Sequence, residues 1–223
     1  MKAIFLSYAG TILQQRGDEF SEVADSFIQS SDLKDADAFI KWWVNHLNES
    51  KKDAYGEHYK NEEAIATDVL NRAIQEIHLT GDLQQIQVLM KNYFMYGSIY
   101  NDVRTLFNQC SLPIYIICDN GEDYVRVCMR RNGLHPYGVI SADSVHAYRQ
   151  RKDVFEKALQ VADVSREDVL YIGESPDTDI KGAQECGIPV VLLDRRGEFE
   201  DVDCKVVHSL TEVLRMVKKY GND

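Results

Sequence analysis

Short apolar runs alternate with amphipathic stretches from residue 98 onward, and that alternation restricts the fold more than any other feature of the chain. Runs of four or five apolar residues are too short for amphipathic helices and read as buried strands. Strands separated by helical stretches are the pattern of a parallel α/β sheet. The expected strands are Lys2–Leu6, Ile114–Cys118, Val139–Ala142, Val169–Ile172 and Val190–Leu193. Helices are expected over about 122–132, 153–161 and 177–186, with a last one from Leu210 to Tyr220. Gly133 and Gly187 are placed to end two of them, because glycine adopts left-handed backbone without a Cβ clash. Pro176 suits a first helical turn, where no N–H is needed.

Residues 16 to 97 have a different period. Phe20, Val23, Ala24, Phe27 and Ile28 recur at helical spacing, as do Ala36, Phe39, Ile40, Trp43, Val44 and Leu47. The same holds for Ala66, Val69, Leu70, Ala73, Ile74 and Ile77, and for Leu83, Ile86, Met90, Tyr93 and Phe94. Such stripes need partners, and the simplest arrangement is an all-helical insertion whose stripes form one another's core. Trp42 and Trp43 are adjacent and cannot share a face, so one of them is expected to look toward a cleft or a partner.

With 223 residues, 44% of them hydrophobic, the chain can bury a sizeable core, enough for one domain or a domain with an insertion. A net charge of −11 argues against nucleic acid and anionic membrane as partners. Five cysteines, at 110, 118, 128, 186 and 204, show no CxxC spacing and no nearby histidine pair for zinc. Buried reduced thiols in a reducing, cytoplasmic setting are expected. Lys2 and the apolar run after it are too quickly interrupted, by Gly10-Thr11, for a signal peptide. Nothing approaches the roughly 20 apolar residues of a membrane span.

In an open parallel sheet, ligands bind beyond the carboxyl ends of the strands. Ser7, Asp119 and Glu174 each follow directly on such an end, so loops after three strands are expected to converge on one site. The segments themselves are distinctive. Residues 4–13 read Ile-Phe-Leu-Ser-Tyr-Ala-Gly-Thr-Ile-Leu, 113–121 read Pro-Ile-Tyr-Ile-Ile-Cys-Asp-Asn-Gly, and 149–155 read Arg-Gln-Arg-Lys-Asp-Val-Phe. Residues 173–183 read Gly-Glu-Ser-Pro-Asp-Thr-Asp-Ile-Lys-Gly-Ala.

In this order and at this spacing, the segments resemble the four motifs of the haloacid dehalogenase (HAD) superfamily, in its phosphatase-like branch. The resemblance implies a Rossmann-like core of residues 1–15 and 98–223 and a helical cap of 16–97 inserted between motifs I and II. It also implies catalytic roles at positions 7 and 9, where the family carries a nucleophilic and an acid/base aspartate. Here those positions hold Ser7 and Ala9. Substrate-binding roles are implied for Thr11, for Asp119 in the Thr/Ser place of motif II, for Asn120, and for Arg149 in place of the motif III lysine. Lys152 is an alternative cation one helical turn away, and Phe155 matches the motif. A Mg²⁺ site is implied at Glu174 with Asp179 or Asp177, though weakened, because one carboxylate is lost and another lengthened. Asp177 and Asp179 have an equal alternative role at a helix N-terminus.

A serine hydroxyl needs a base to become nucleophilic, and alanine can move no proton. The resemblance therefore points to a hydrolase fold with phosphatase activity lost or very weak, a pseudoenzyme holding a small or phosphorylated ligand or a protein partner. The alternative is an active hydrolase working through unorthodox residues on an unknown small substrate. Arg149 has two readings as well: a salt bridge to Asp119 inside the former phosphate pocket, or a solvent-facing place in a basic loop with Arg151 and Lys152.

Overall fold

The computed structural model describes residues 1–220. Six strands form one parallel sheet: β1 (Ala3–Ser7), β2 (Ile114–Cys118), β3 (Gly138–Ser141), β4 (Val169–Gly173), β5 (Val190–Leu193) and β6 (Lys205–Val207). Their spatial order is β3-β2-β1-β4-β5-β6, so β1 is central and the order reverses beside it. Ligand crevices of doubly wound sheets form at such a reversal.

Between β1 and β2 lie four helices that pack on one another, α1 (Asp18–Ser30), α2 (Ala36–Lys52), α3 (Glu62–Glu76) and α4 (Leu83–Tyr96). Three of them start where polar side chains satisfy free N–H groups: Asp35 accepts from Ala38 N, Asn61 from Ala64 N, and Asp82 from the amides of Gln84 and Gln85. The chain leaves for this bundle and returns from it side by side, since Gln14 N donates to Ser98 O at 2.8 Å and Tyr100 N to Ile12 O at 3.0 Å. The remaining helices are α5 (Asn101–Gln109), α6 (Glu122–Arg131), α7 (Asp153–Ala162), α8 (Lys181–Glu185) and α9 (Leu210–Tyr220).

Strand alternation divides the core. Ile4 and Leu6 of β1 face α5, α6, α9 and the four-helix cap, whereas Ala3 and Phe5 face α7 and α8. This is the expected α/β architecture, a Rossmann-like sheet with an inserted all-helical cap. The second strand and the fifth fall where expected; β1 begins and ends one residue later, β3 begins and ends one residue earlier, and β4 runs one residue further, through Gly173. Two elements were not foreseen, α5 and the three-residue β6. The helix expected over 177–186 is two pieces, a π-helical turn at Pro176–Ile180 followed by α8. Among the described residues, no helix is long and apolar enough to cross a membrane.

Candidate active site

The loop after β1 carries Ser7, whose side chain is fully buried, and then turns sharply. Gly10 has φ +75°, and a Cβ there would also collide with the carboxyl group of Glu174. The backbone conformation favours glycine at this position, and the space its missing side chain leaves is taken by the Glu174 carboxyl group. Asp119 and Asn120 follow β2, Glu174 and Ser175 follow β4, and Asp179 sits in the π-helical turn. Arg149 lies in the segment between β3 and α7, held close by Gly182, whose missing side chain lets α8 press on the Arg149 carbonyl.

These residues form one buried polar network. Arg149 donates through Nη1 to Ser7 Oγ and to Asp179 Oδ1, and through Nε to Asp119 Oδ1 at 3.1 Å. Asp179 is saturated: Oδ1 also accepts from the Tyr171 hydroxyl at 2.5 Å, and Oδ2 accepts the amides of Glu174 at 2.9 Å and Ser175 at 3.1 Å. From the cap, Lys51 Nζ reaches Asp119 Oδ2 at 3.2 Å and Glu62 Oε1 at 3.0 Å, while Asn120 Nδ2 donates to Glu62 Oε2. Two cations are therefore shared among three carboxylates, Asp119, Asp179 and Glu62.

The electrostatics follow from that arrangement. Burial alone would raise the Asp119 carboxyl, but Arg149 and Lys51 beside it hold it well below the usual carboxylate range. Burial works against the charges of Arg149 and Lys51, yet their carboxylate neighbours push both upward. Glu174 behaves oppositely. Burial and the nearby Asp179 raise it to about 7, against the weaker pull of Arg149 and of Gln15, which donates to Oε1 at 2.7 Å.

Above the network lies a cavity of about 180 Å³ between cap and sheet, lined by Ala9, Asp119, Asn120, Arg149 and Glu174 below and by aromatic cap residues above. It shares Trp43, Leu47, Met90 and Phe94 with an open outer cleft of about 830 Å³. Of the adjacent tryptophans it is Trp43 that lines the cavity, while Trp42 stacks on His46 with ring centroids 4.1 Å apart.

Ser7, Asp119, Asn120, Arg149, Glu174 and Asp179 are thus brought together, and Arg149 takes the salt-bridge reading, not the solvent-facing one. Three positions behave otherwise. Thr11 is fully buried, does not line the cavity, and its hydroxyl has no hydrogen-bond partner among the described residues; its carbonyl accepts from Arg195 at 3.0 Å. Asp177 is exposed in a separate cleft with His46, Lys52 and Arg151. Lys152 is engaged with Glu156 on the surface at 2.9 Å. Lys51, Glu62, Gln15 and Tyr171 were not anticipated. Lys51 was detectable in principle, because it continues the i+4 row Phe39, Trp43, Leu47 on the buried face of α2.

A divalent cation finds no suitable cage here. Mg²⁺ needs near-octahedral oxygen ligands. Position 7 offers a hydroxyl already accepting from Arg149, Asp179 has its lone pairs occupied, and only the carboxylate of Glu174 is left. Among the described residues, no three His, Cys, Asp or Glu side chains are grouped to hold a metal ion.

Comparison with known proteins agrees with the architecture. A family model described as haloacid dehalogenase-like hydrolase matches residues 11–193. The chain is 24% identical over 189 residues to a glyceraldehyde 3-phosphate phosphatase of Methanocaldococcus jannaschii, covering 81% of this chain and 80% of that protein. It superposes on the L-2-haloacid dehalogenase of Xanthobacter autotrophicus with chloropropionic acid covalently bound, with a TM-score of 0.80, 18% identity and 98% of each chain covered. A HAD-hydrolase of Bacillus subtilis bound to magnesium superposes with a TM-score of 0.74 and 16% identity, over 97% of this chain and 98% of that one. At these identities the solved structures share the fold.

Proposed function

The chain belongs to the haloacid dehalogenase-like hydrolases, and we propose that within this family it has lost phosphoryl transfer and uses its capped cavity to bind a small molecule. The observation that carries this reading is the state of Ser7. Among the described residues its hydroxyl has a single hydrogen-bond partner, Arg149. A guanidinium has five donors and no acceptor, so it can take no proton from the serine. Ala9 supplies no acid or base in the next position. Loss of a nucleophile alone costs on the order of 10⁴ to 10⁶ in turnover.

The pocket that should recognise phosphate is also filled from within. Arg149 is neutralised by Asp119 and Asp179, and Lys51 by Asp119 and Glu62, leaving, among the described residues, no unpaired cation lining this site. Residues 16–97 act in this reading as a closed cap, latched to the sheet by Lys51 and by Tyr148, whose hydroxyl donates to Lys60 O at 2.8 Å. The test is a hydrolysis assay on a generic aryl phosphate at neutral pH, with and without Mg²⁺. Turnover is expected to stay at the buffer rate. Robust turnover that vanishes in Ser7→Ala would overturn the proposal and make Ser7 a nucleophile.

A further inference from the structure

The cavity beneath the cap contains one carboxyl group that, among the described residues, has no ion-pair partner. Of the charged side chains that line it, Lys51, Glu62, Asp119 and Arg149 are tied into ion pairs with each other. Among the described residues Glu174 forms no ion pair, and its side chain has one hydrogen bond, from the neutral amide of Gln15. Its position is nevertheless built. The turn at Gly10 leaves room for the carboxyl group against the backbone, and Gln15 holds one oxygen.

Opposite Glu174 the walls are aromatic. Phe20, Phe39, Trp43 and Tyr93 interlock, with ring centroids 6.0 Å apart for Phe20 and Phe39, 5.5 Å for Phe20 and Tyr93, and 6.2 Å for Phe39 and Trp43. An apolar cavity of about 150 Å³ suffices for benzene, so the 180 Å³ here accommodates a body of that size. A carboxylate without an ion-pair partner in a cavity with aromatic walls is the chemistry that recognises an ammonium group, through charge pairing and cation–π attraction.

We infer that this cavity binds a small organic cation, a primary amine on an aromatic or aliphatic body of roughly benzene size, with Glu174 as its counter-ion. The inference rests on the reading of the site as a binding pocket and specifies its ligand class. An anion is disfavoured, because the three paired carboxylates Glu62, Asp119 and Asp179 already outnumber Lys51 and Arg149 around the network, and Glu174 adds a fourth carboxyl group. A metal ion is disfavoured because one carboxylate does not make an octahedral site. An ammonium needs only the one.

Calorimetric titration and thermal melts of the full chain with phenylethylamine provide the test, against three controls: phenylpropanoate, which has similar bulk and opposite charge, methylamine, which lacks the apolar body, and Mg²⁺ alone. Phenylethylamine should bind and raise the melting temperature while the controls do not, and Glu174→Gln should weaken its affinity about tenfold or more. Equal or tighter binding of phenylpropanoate, saturation by Mg²⁺ alone, absence of any amine response, or an unchanged affinity in Glu174→Gln would each overturn it. Comparing amine with carboxylate on the unaltered chain keeps the test decisive even where Glu174→Gln fails to fold. Because binding is read without turnover, a failure here leaves the loss of hydrolysis standing, and hydrolysis by the wild type leaves the binding result standing.

Discussion

Arg149 is joined to Asp119 twice, its backbone N–H and its Nε both donating to Oδ1 at 3.1 Å. One carboxylate oxygen therefore fixes the course of the chain at residue 149 as well as the direction of the guanidinium. The remaining Nη1 is aimed at Ser7 and Asp179, linking the ends of β1, β2 and β4 through a single side chain. A lysine offers a compact point charge and could not span these acceptors in one plane. The arginine and the aspartate thus act as one unit.

Breaking that unit should be costly. Asp119→Asn leaves Arg149 and Lys51 without the carboxylate they share, and loss of one partner from a buried ion pair typically costs about 3–5 kcal/mol. Urea unfolding should show a lowered midpoint with an unchanged slope. A loss below about 1 kcal/mol would mean that the pairs contribute little in solution.

Two carboxyl groups should give the stability opposite pH trends. Asp119 is held below its ordinary value of 3.8, so the stability it adds is complete above that pH and is lost as the pH falls through its folded value. Glu174 is raised from 4.5 to about 7, so its contribution is complete below 4.5 and is lost as the pH rises through about 7. Glu174→Gln should flatten the decline between those two values while leaving the acid limb in place. Urea midpoints measured from about pH 2 to about pH 8, which reach well below the ordinary carboxylate range and above the raised Glu174, check both signs. A profile that Glu174→Gln leaves unaltered above pH 4.5 would count against the inward-facing carboxyl.

Restoring carboxylates tests the catalytic reading from the other side. Ser7→Asp with Ala9→Asp returns a nucleophile, an acid/base group and oxygen ligands to the end of β1. The double variant should show weak Mg²⁺-dependent hydrolysis of an aryl phosphate, with neither single variant matching it. Rates indistinguishable from wild type would show that the network around Arg149 blocks the reaction independently of the missing groups.

Much of this was legible before any coordinates. Strands Ile114–Cys118 and Val190–Leu193 are continuous apolar runs buried on both faces, so their limits coincide with their hydrophobicity. The edge strand Lys205–Val207 has three residues, only Val207 of them fully buried, and a run that short carries no period. The convergence of Ser7, Asp119, Arg149 and Glu174 was readable because strand ends share one edge of the sheet. Spacing could place Lys51 on the buried face of α2, but not its pairing with Asp119, nor Glu62 at all, since both belong to the cap and local spacing does not say which helix end meets Asp119. Thr11 was misplaced because a buried backbone turn resembles an exposed one in sequence: Arg195 holds its carbonyl while pairing with Asp102 at 2.9 Å and stacking on Tyr100 at 3.7 Å.

The most direct test of a pocket neutralised from within is a pair of thermal melts, wild type and Asp119→Thr, each with and without millimolar phosphate. A ligand that binds only the folded state stabilises it in proportion to the logarithm of its saturation. Wild type should shift little, because Arg149 and Lys51 are already paired. Asp119→Thr should start less stable and gain markedly from phosphate, because both cations lose a carboxylate. Strong stabilisation of the wild type by phosphate, unchanged in Asp119→Thr, would contradict the account and show a site that still takes a phosphorylated ligand.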